Sequence, residues 1–163
     1  MSISDFEFAL LTPEKSLLRT GAQSVLLPGE QGQMGVLPGH EAMVALLGPG
    51  VVEVEVDSSA DAATAAAPTK RSFFIEEGVA EVTPGYCRIL APYAQEANQL
   101  DRQDAFERVQ KLEMALTDVM TGRGGPDSAA SGEARDSFMA QLQAQLRCAR
   151  ARLAAASNIS SSS

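Results

Sequence analysis

Between Val25 and Gly50 the sequence sets short apolar runs between Pro-Gly pairs. The runs are Val25-Leu26-Leu27, Met34-Gly35-Val36-Leu37 and Val44-Ala45-Leu46-Leu47; the pairs are Pro28-Gly29, Pro38-Gly39 and Pro49-Gly50. None is long enough for a helix, and runs of this length bounded by Gly and Pro read as buried strands joined by tight turns. Gly29, Gly32, Gly35 and Gly39 recur every three or four residues, where turns and bulges need positive φ or close backbone approach. The stretch predicts a compact β module with loops of fixed shape. Nothing in it marks catalysis.

The pattern continues on both sides. Phe6 to Leu11 begins as an alternating strand turned by Thr12-Pro13-Glu14, and Ser16 to Arg19 leads into a second turn at Gly21. From Val52 to Val56 apolar and acidic residues alternate strictly, as in a strand with one face in a core and one in water. Residues 57–69 hold no large side chain and read as a lengthened hairpin loop. Strands follow at Ser72–Glu76, Gly78–Val82 and Tyr86–Leu90, the last two joined by Thr83-Pro84-Gly85. At least seven short strands with frequent turn signals predict a β-sandwich or a barrel.

After Pro92 the period changes. Asp101 can cap a helix start, with Asp104 in the capping-box position. Phe106, Val109, Leu112, Leu116 and Met120 then recur at helical spacing on one stripe. Gly122 to Pro126 ends this helix, and a second runs from about Gly132 with Phe138, Leu142, Leu146, Ala149 and Leu153 on its stripe. Together they predict an antiparallel helical hairpin. The expected domains are a β module over 1–97, a helical hairpin over 98–156 and a disordered, solvated tail over 157–163.

Charge and composition narrow the function. Residues 1–97 carry 13 acidic and 5 basic side chains, a deficit of eight, whereas the remainder carries 8 of each. An acidic β module disfavours nucleic acid, which needs a basic footprint, and suits a basic partner. No apolar run approaches the ~20 residues of a membrane span, and the acidic Met1–Leu11 stretch does not resemble a targeting peptide. Cys87 and Cys148 lie too far apart to suggest a disulfide framework, and one histidine is too few for a zinc site. His40, on the Pro38-Gly39 turn, has no nucleophile marked beside it. Glu76-Glu77 read as solvated carboxylates rather than an acid–base pair. No Lys-Ser/Thr follows the glycines, so a phosphate-binding P-loop fails. Arg147, Arg150 and Arg152 suit the end of the last helix by its dipole, or an acidic partner.

Residues Pro28 to His40, Leu47 to Val52 and Phe73 to Val82 together resemble the epsilon subunit of rotary ATP synthases, called delta in mitochondria; the remaining pieces fall in the family's order almost end to end. The resemblance implies a flattened antiparallel β-sandwich followed by a two-helix hairpin. It implies a non-catalytic rotor part without cofactor or metal, docked on the gamma subunit and on the polar loops of the c-ring, with a further small stalk subunit in the mitochondrial case. Contacts carried over by position are Gln31, Gly32, Gln33, Met34 and His40, all near the foot of the stalk. Members often carry an acid where Gln33 stands, so a neutral hydrogen bond would replace an ion pair there. Many bacterial members bind ATP through Leu/Ile-Asp-x-x-Arg-Ala; here Leu100-Asp101-Arg102-Gln103-Asp104-Ala105 puts Asp104 in the arginine's place, and its charge would repel phosphate. The missing motif and the uncharged balance of the helices favour a hairpin that stays folded, on the matrix side of the mitochondrial inner membrane, over the cytoplasmic side of a bacterial plasma membrane. The competing reading is a free-standing sandwich with a helical tail serving another assembly.

Overall fold

A computed structural model describes residues 5–56, 69–124 and 132–159. The chain divides into two compact units, Met1–Gln99 and Leu100–Ser163.

The described residues of the first unit form ten strands: β1 (Phe6–Leu11), β2 (Ser16–Ala22), β3 (Ser24–Gly29), β4 (Gly32–Val36), β5 (Met43–Leu47), β6 (Gly50–Val56), β7 (Thr69–Ile75), β8 (Gly78–Val82), β9 (Tyr86–Leu90) and β10 (Ala94–Glu96). They hydrogen-bond in the order β10-β7-β6-β3-β5-β8-β9-β1-β2, with β4 on the other edge of β3. Because β2 also lies against β6, the sheet curls back on itself as a sandwich close to a barrel. Among the described residues every strand pair is antiparallel but one: β1 runs parallel to β9, with Phe8 opposite Cys87 and Leu11 opposite Leu90. The antiparallel expectation fails at that pair, because β9 returns beside the first strand through no local turn.

Alternation places the core. Phe8, Leu10, Val25, Leu27, Val36, Val52, Val54, Phe73, Ile75, Val82 and Ile89 are fully enclosed between the layers. The fixed loops follow from close backbone approach. Gly29 and Gly32 face each other across the two-residue link Glu30-Gln31. A Cβ on Gly29 would stand 2.7 Å from the Gly32 carbonyl oxygen, and Gly32 itself has φ 132°. Thr69, expected in the long loop, opens β7 instead; the rest of that loop, 57–68, lies outside the described residues.

In the second unit α1 (Arg102–Met120) and α2 (Gly132–Ile159) run antiparallel: the Arg135 guanidinium donates to the Val119 carbonyl at 2.8 Å, and farther along Arg150 pairs with Glu113 at 2.8 Å. Asp101 caps α1 by accepting from the amides of Gln103 (2.8 Å) and Asp104 (3.1 Å). Gly122, at φ 74°, ends it in a Schellman turn, its amide bonding Val119 and the Arg123 amide bonding Asp118. Val109, Leu146 and Ala149 form the buried seam, with Leu112, Leu116 and Leu153 half-buried beside them. Phe106 and Met120, expected on that stripe, are exposed. A stripe of mixed three- and four-residue steps drifts around the helix, and its two ends leave the narrow seam. The tail also begins later than expected. Ser157 to Ile159 continue α2, with the Ser157 hydroxyl donating to the Leu153 carbonyl at 2.8 Å; residues 160–163 lie outside the described part.

Candidate functional site: the outer face and the turn end of the sandwich

In β5, β8 and β9 the outward positions are Val44 and Leu46, Val79 and Glu81, and Tyr86, Arg88 and Leu90, while their neighbours in sequence point into the core. Pairing lines these up across the sheet. Leu46 lies opposite Val79, Val79 opposite Leu90, and Leu90 opposite Leu11. The result is an apolar row across four strands, with Leu46 62% exposed, Val79 37% and Leu90 54%; Val44, beside it, is 70% exposed.

The next row along is polar. Glu81 lies opposite Arg88, 3.6 Å from it, and accepts a 2.6 Å hydrogen bond from the Tyr86 hydroxyl. The Arg88 guanidinium sits over the Tyr86 ring at 5.4 Å. That bond to Glu81, more than burial, holds the Tyr86 hydroxyl above its ordinary pKa. Farther across, Arg19 stands 3.6 Å from Glu7. The face is thus an apolar strip bordered by charges already paired with one another. Such a surface suits burial against a protein, with the charges setting register.

Strand directions also sort the loops into two ends. Thr12–Lys15, Glu30-Gln31, Gly48-Pro49 and Glu76-Glu77 are all at one end, since Gly29 pairs with Leu47, Leu47 with Gly78 and Leu90 with Leu11. That end bears Glu14, Glu30, Glu76 and Glu77 against Lys15. Pro38-Gly39-His40 and Thr83–Gly85 are at the other, joined by the Gly39 amide and the Pro84 carbonyl at 3.2 Å.

The structure therefore separates residues the sequence reading had grouped. Gln31 lies in the turn and Gly32 opens β4 there, with Gln33 and the half-buried Met34 following along that strand. His40 follows the far end of β4, five residues or ~16 Å away at about 3.3 Å per residue. Its Nδ1 is 2.9 Å from the Glu41 carbonyl oxygen. Among the described residues no group of three or more His, Cys, Asp or Glu could hold a metal ion, and no helix is long and apolar enough to cross a membrane. Cys87 faces the core, where burial pushes its thiol up to about 12. Asp104 is exposed on the first turn of α1, beside the capping carboxylate of Asp101.

Comparison with known proteins gives this surface a context. Residues 5–97 match the family described as ATP synthase, Delta/Epsilon chain, beta-sandwich domain. The chain belongs to that family. An ATP synthase epsilon chain from Thioalkalivibrio sulfidiphilus is 35% identical over 113 residues, covering 69% of this chain and 74% of the relative. Another from Rhodospirillum centenum is 31% identical over 140 residues, 86% of this chain and 88% of the relative. In a structure of the Euglena gracilis mitochondrial ATP synthase (OSCP/F1/c-ring), one chain superposes with TM-score 0.70 at 20% identity, over 93% of this chain and 81% of its own length. A chain of the Tetrahymena thermophila mitochondrial ATP synthase central stalk/c-ring gives TM-score 0.57 at 14% identity, covering 91% and 96%. Membership makes the chain a structural, central-stalk subunit of ATP synthase.

The apolar row is what the sequence reading missed. Its signal was present in Val44-Ala45-Leu46-Leu47, which is apolar at both parities where a half-buried strand should alternate. A strand apolar on both faces expects cover on both.

Proposed function

We propose that this subunit acts as a rigid, non-catalytic wedge between the gamma subunit of the central stalk and the c-ring. The observation that carries the reading is the exposed row Leu46–Val79–Leu90, an apolar strip facing outward on a sheet whose core is already complete on its other side. Gamma is its occupant. Cohesion comes from that buried apolar contact, and the paired rim of Glu81, Arg88 and Tyr86 fixes register. The turn end with Gln31–Met34 faces the ring's polar loops; its excess of Glu14, Glu30, Glu76 and Glu77 supplies the acidity that Gln33 lacks. His40, at the opposite end, is left to the gamma side. Stiffness suits torque, because a close-packed core and short Gly-Pro loops leave few soft modes.

Leu46→Glu with Val79→Glu should lower co-purification with gamma at least tenfold while leaving the far-ultraviolet circular dichroism unchanged. Full retention of gamma by that variant would return the chain to the free-standing interaction module. Asp104 argues against nucleotide binding, so calorimetry of the full chain with Mg-ATP should give no micromolar isotherm. The bacterial relatives favour the cytoplasmic side of a bacterial plasma membrane over the mitochondrial inner membrane that the lost motif suggested.

A further inference from the structure

The last strand of the sandwich is weakly founded by its backbone. β10 spans only Ala94–Glu96, pairs with β7 alone among the described strands, and passes directly into a short 3-10 turn, Ala97–Gln99, before the helical unit begins. A three-residue edge strand offers few ladder bonds, and such segments open readily by themselves.

Side chains reinforce it. Glu96 lies opposite Phe73, and its carboxylate accepts from the guanidinium of Arg71, two residues before Phe73 on β7. That guanidinium also lies over the Phe73 ring, 5.2 Å from its centroid. Arg71 therefore bridges a fully enclosed core aromatic and the final strand, in a partly shielded charge-assisted contact. Beyond it, the Tyr93 hydroxyl donates to the Gln95 side-chain oxygen at 2.5 Å, and the Gln95 amide donates to the Gln99 carbonyl at 3.1 Å. Ala97 is buried in the turn that lies against β7.

We propose that Arg71 and Glu96 form a latch holding the β10–turn segment on the sandwich, so that residues 94–99 are a strap that opens as a unit while the rest of the sheet stays closed. The latch fixes the place where the chain leaves the sandwich for the helices, and it needs neither gamma nor the c-ring to act. Hydrogen exchange on the full chain, followed peptide by peptide, tests it. Glu96→Gln and Arg71→Gln should each speed exchange over 94–99 about three- to tenfold, with peptides from β8 and β9 unchanged. The charge swap Arg71→Glu with Glu96→Arg should bring exchange back to within about twofold of the wild type, since Arg at 96 still faces Phe73. Exchange over 94–99 that stays within twofold in both single variants overturns the latch. So does loosening that spreads equally through β6 to β9, or a swap no better than the single changes. If a single variant fails to fold, the swap decides alone: recovery of the folded sheet supports the latch, and failure overturns it.

Discussion

The two units of the chain are stabilised on different scales. The sandwich encloses Phe6, Phe8, Phe73 and a full set of aliphatic side chains, so its strands are bound from both layers. The helical hairpin has a seam of Val109, Leu146 and Ala149, flanked by half-buried leucines, and leaves Phe106, Met114 and Met120 in solvent. Its other buried residues are Ala105, Val119, Leu142, Ala155 and Ala156, so with few large enclosed side chains it leans on caps and local helix propensity more than the sandwich does. The contrast fits a subunit in which one part must keep its shape and the other is held together loosely.

Four changes would break or sharpen that contrast. Phe73→Ala removes a ring enclosed in the core and should cost about 3–5 kcal/mol, read as a lower denaturant midpoint for the sandwich transition. Leu146→Ala thins the hairpin seam and should cost about 2 kcal/mol, with loss of helical signal before the sandwich unfolds. A simultaneous loss of both signals would show that the units unfold as one, and the contrast would fall.

Cys87→Ala is a smaller change of about 1 kcal/mol, and its interest lies in pH. Burial pushes the folded thiol from its ordinary 9.0 up to about 12. The neutral thiol thus favours the fold fully below about pH 9, and that contribution is lost as pH rises through the interval to 12. The stability difference between wild type and Cys87→Ala should therefore shrink on the alkaline side, and a difference constant from pH 7 to 11 would contradict the burial. Thiol labelling of the folded chain should reach the half-buried Cys148 first. The smallest effect is expected at Glu113→Gln. Its partner Arg150 is 61% exposed at the side chain, so solvent screening limits the loss to about 0–0.5 kcal/mol by thermal unfolding.

Legibility followed local pattern. Alternation at Val52–Val56 and Gly78–Val82, and the Pro-Gly turns, located strands because the period-two signal and the punctuation are written in adjacent residues. Asp101 and Gly122 marked the ends of α1 for the same reason. β10 was invisible, since Ala94-Gln95-Glu96 has no alternation and is held by a residue 25 positions earlier. Phe74 points away from Phe73 and is nevertheless fully enclosed, a burial that period two cannot announce. Phe106 and Met120 misled because helical spacing says which residues share a side, not how wide the contact is. For the site, the turn at Gln31 and Gly32 could be read from the glycine spacing, but the place of Gln33 and Met34 along β4 and their separation from His40 emerge only from the strand pairing.

The parallel pairing of β1 with β9 bears on how the protein is made. Phe8 can meet Thr20 in a hairpin as soon as a few more residues emerge, but its other neighbour, Cys87, is synthesised 79 residues later. At a translation rate of about 5–20 residues per second the nascent segment waits seconds with one edge open. Closing the sheet is thus a late, long-range event, and the ribosome finishes nearly the whole N-terminal unit before its first strand is sealed.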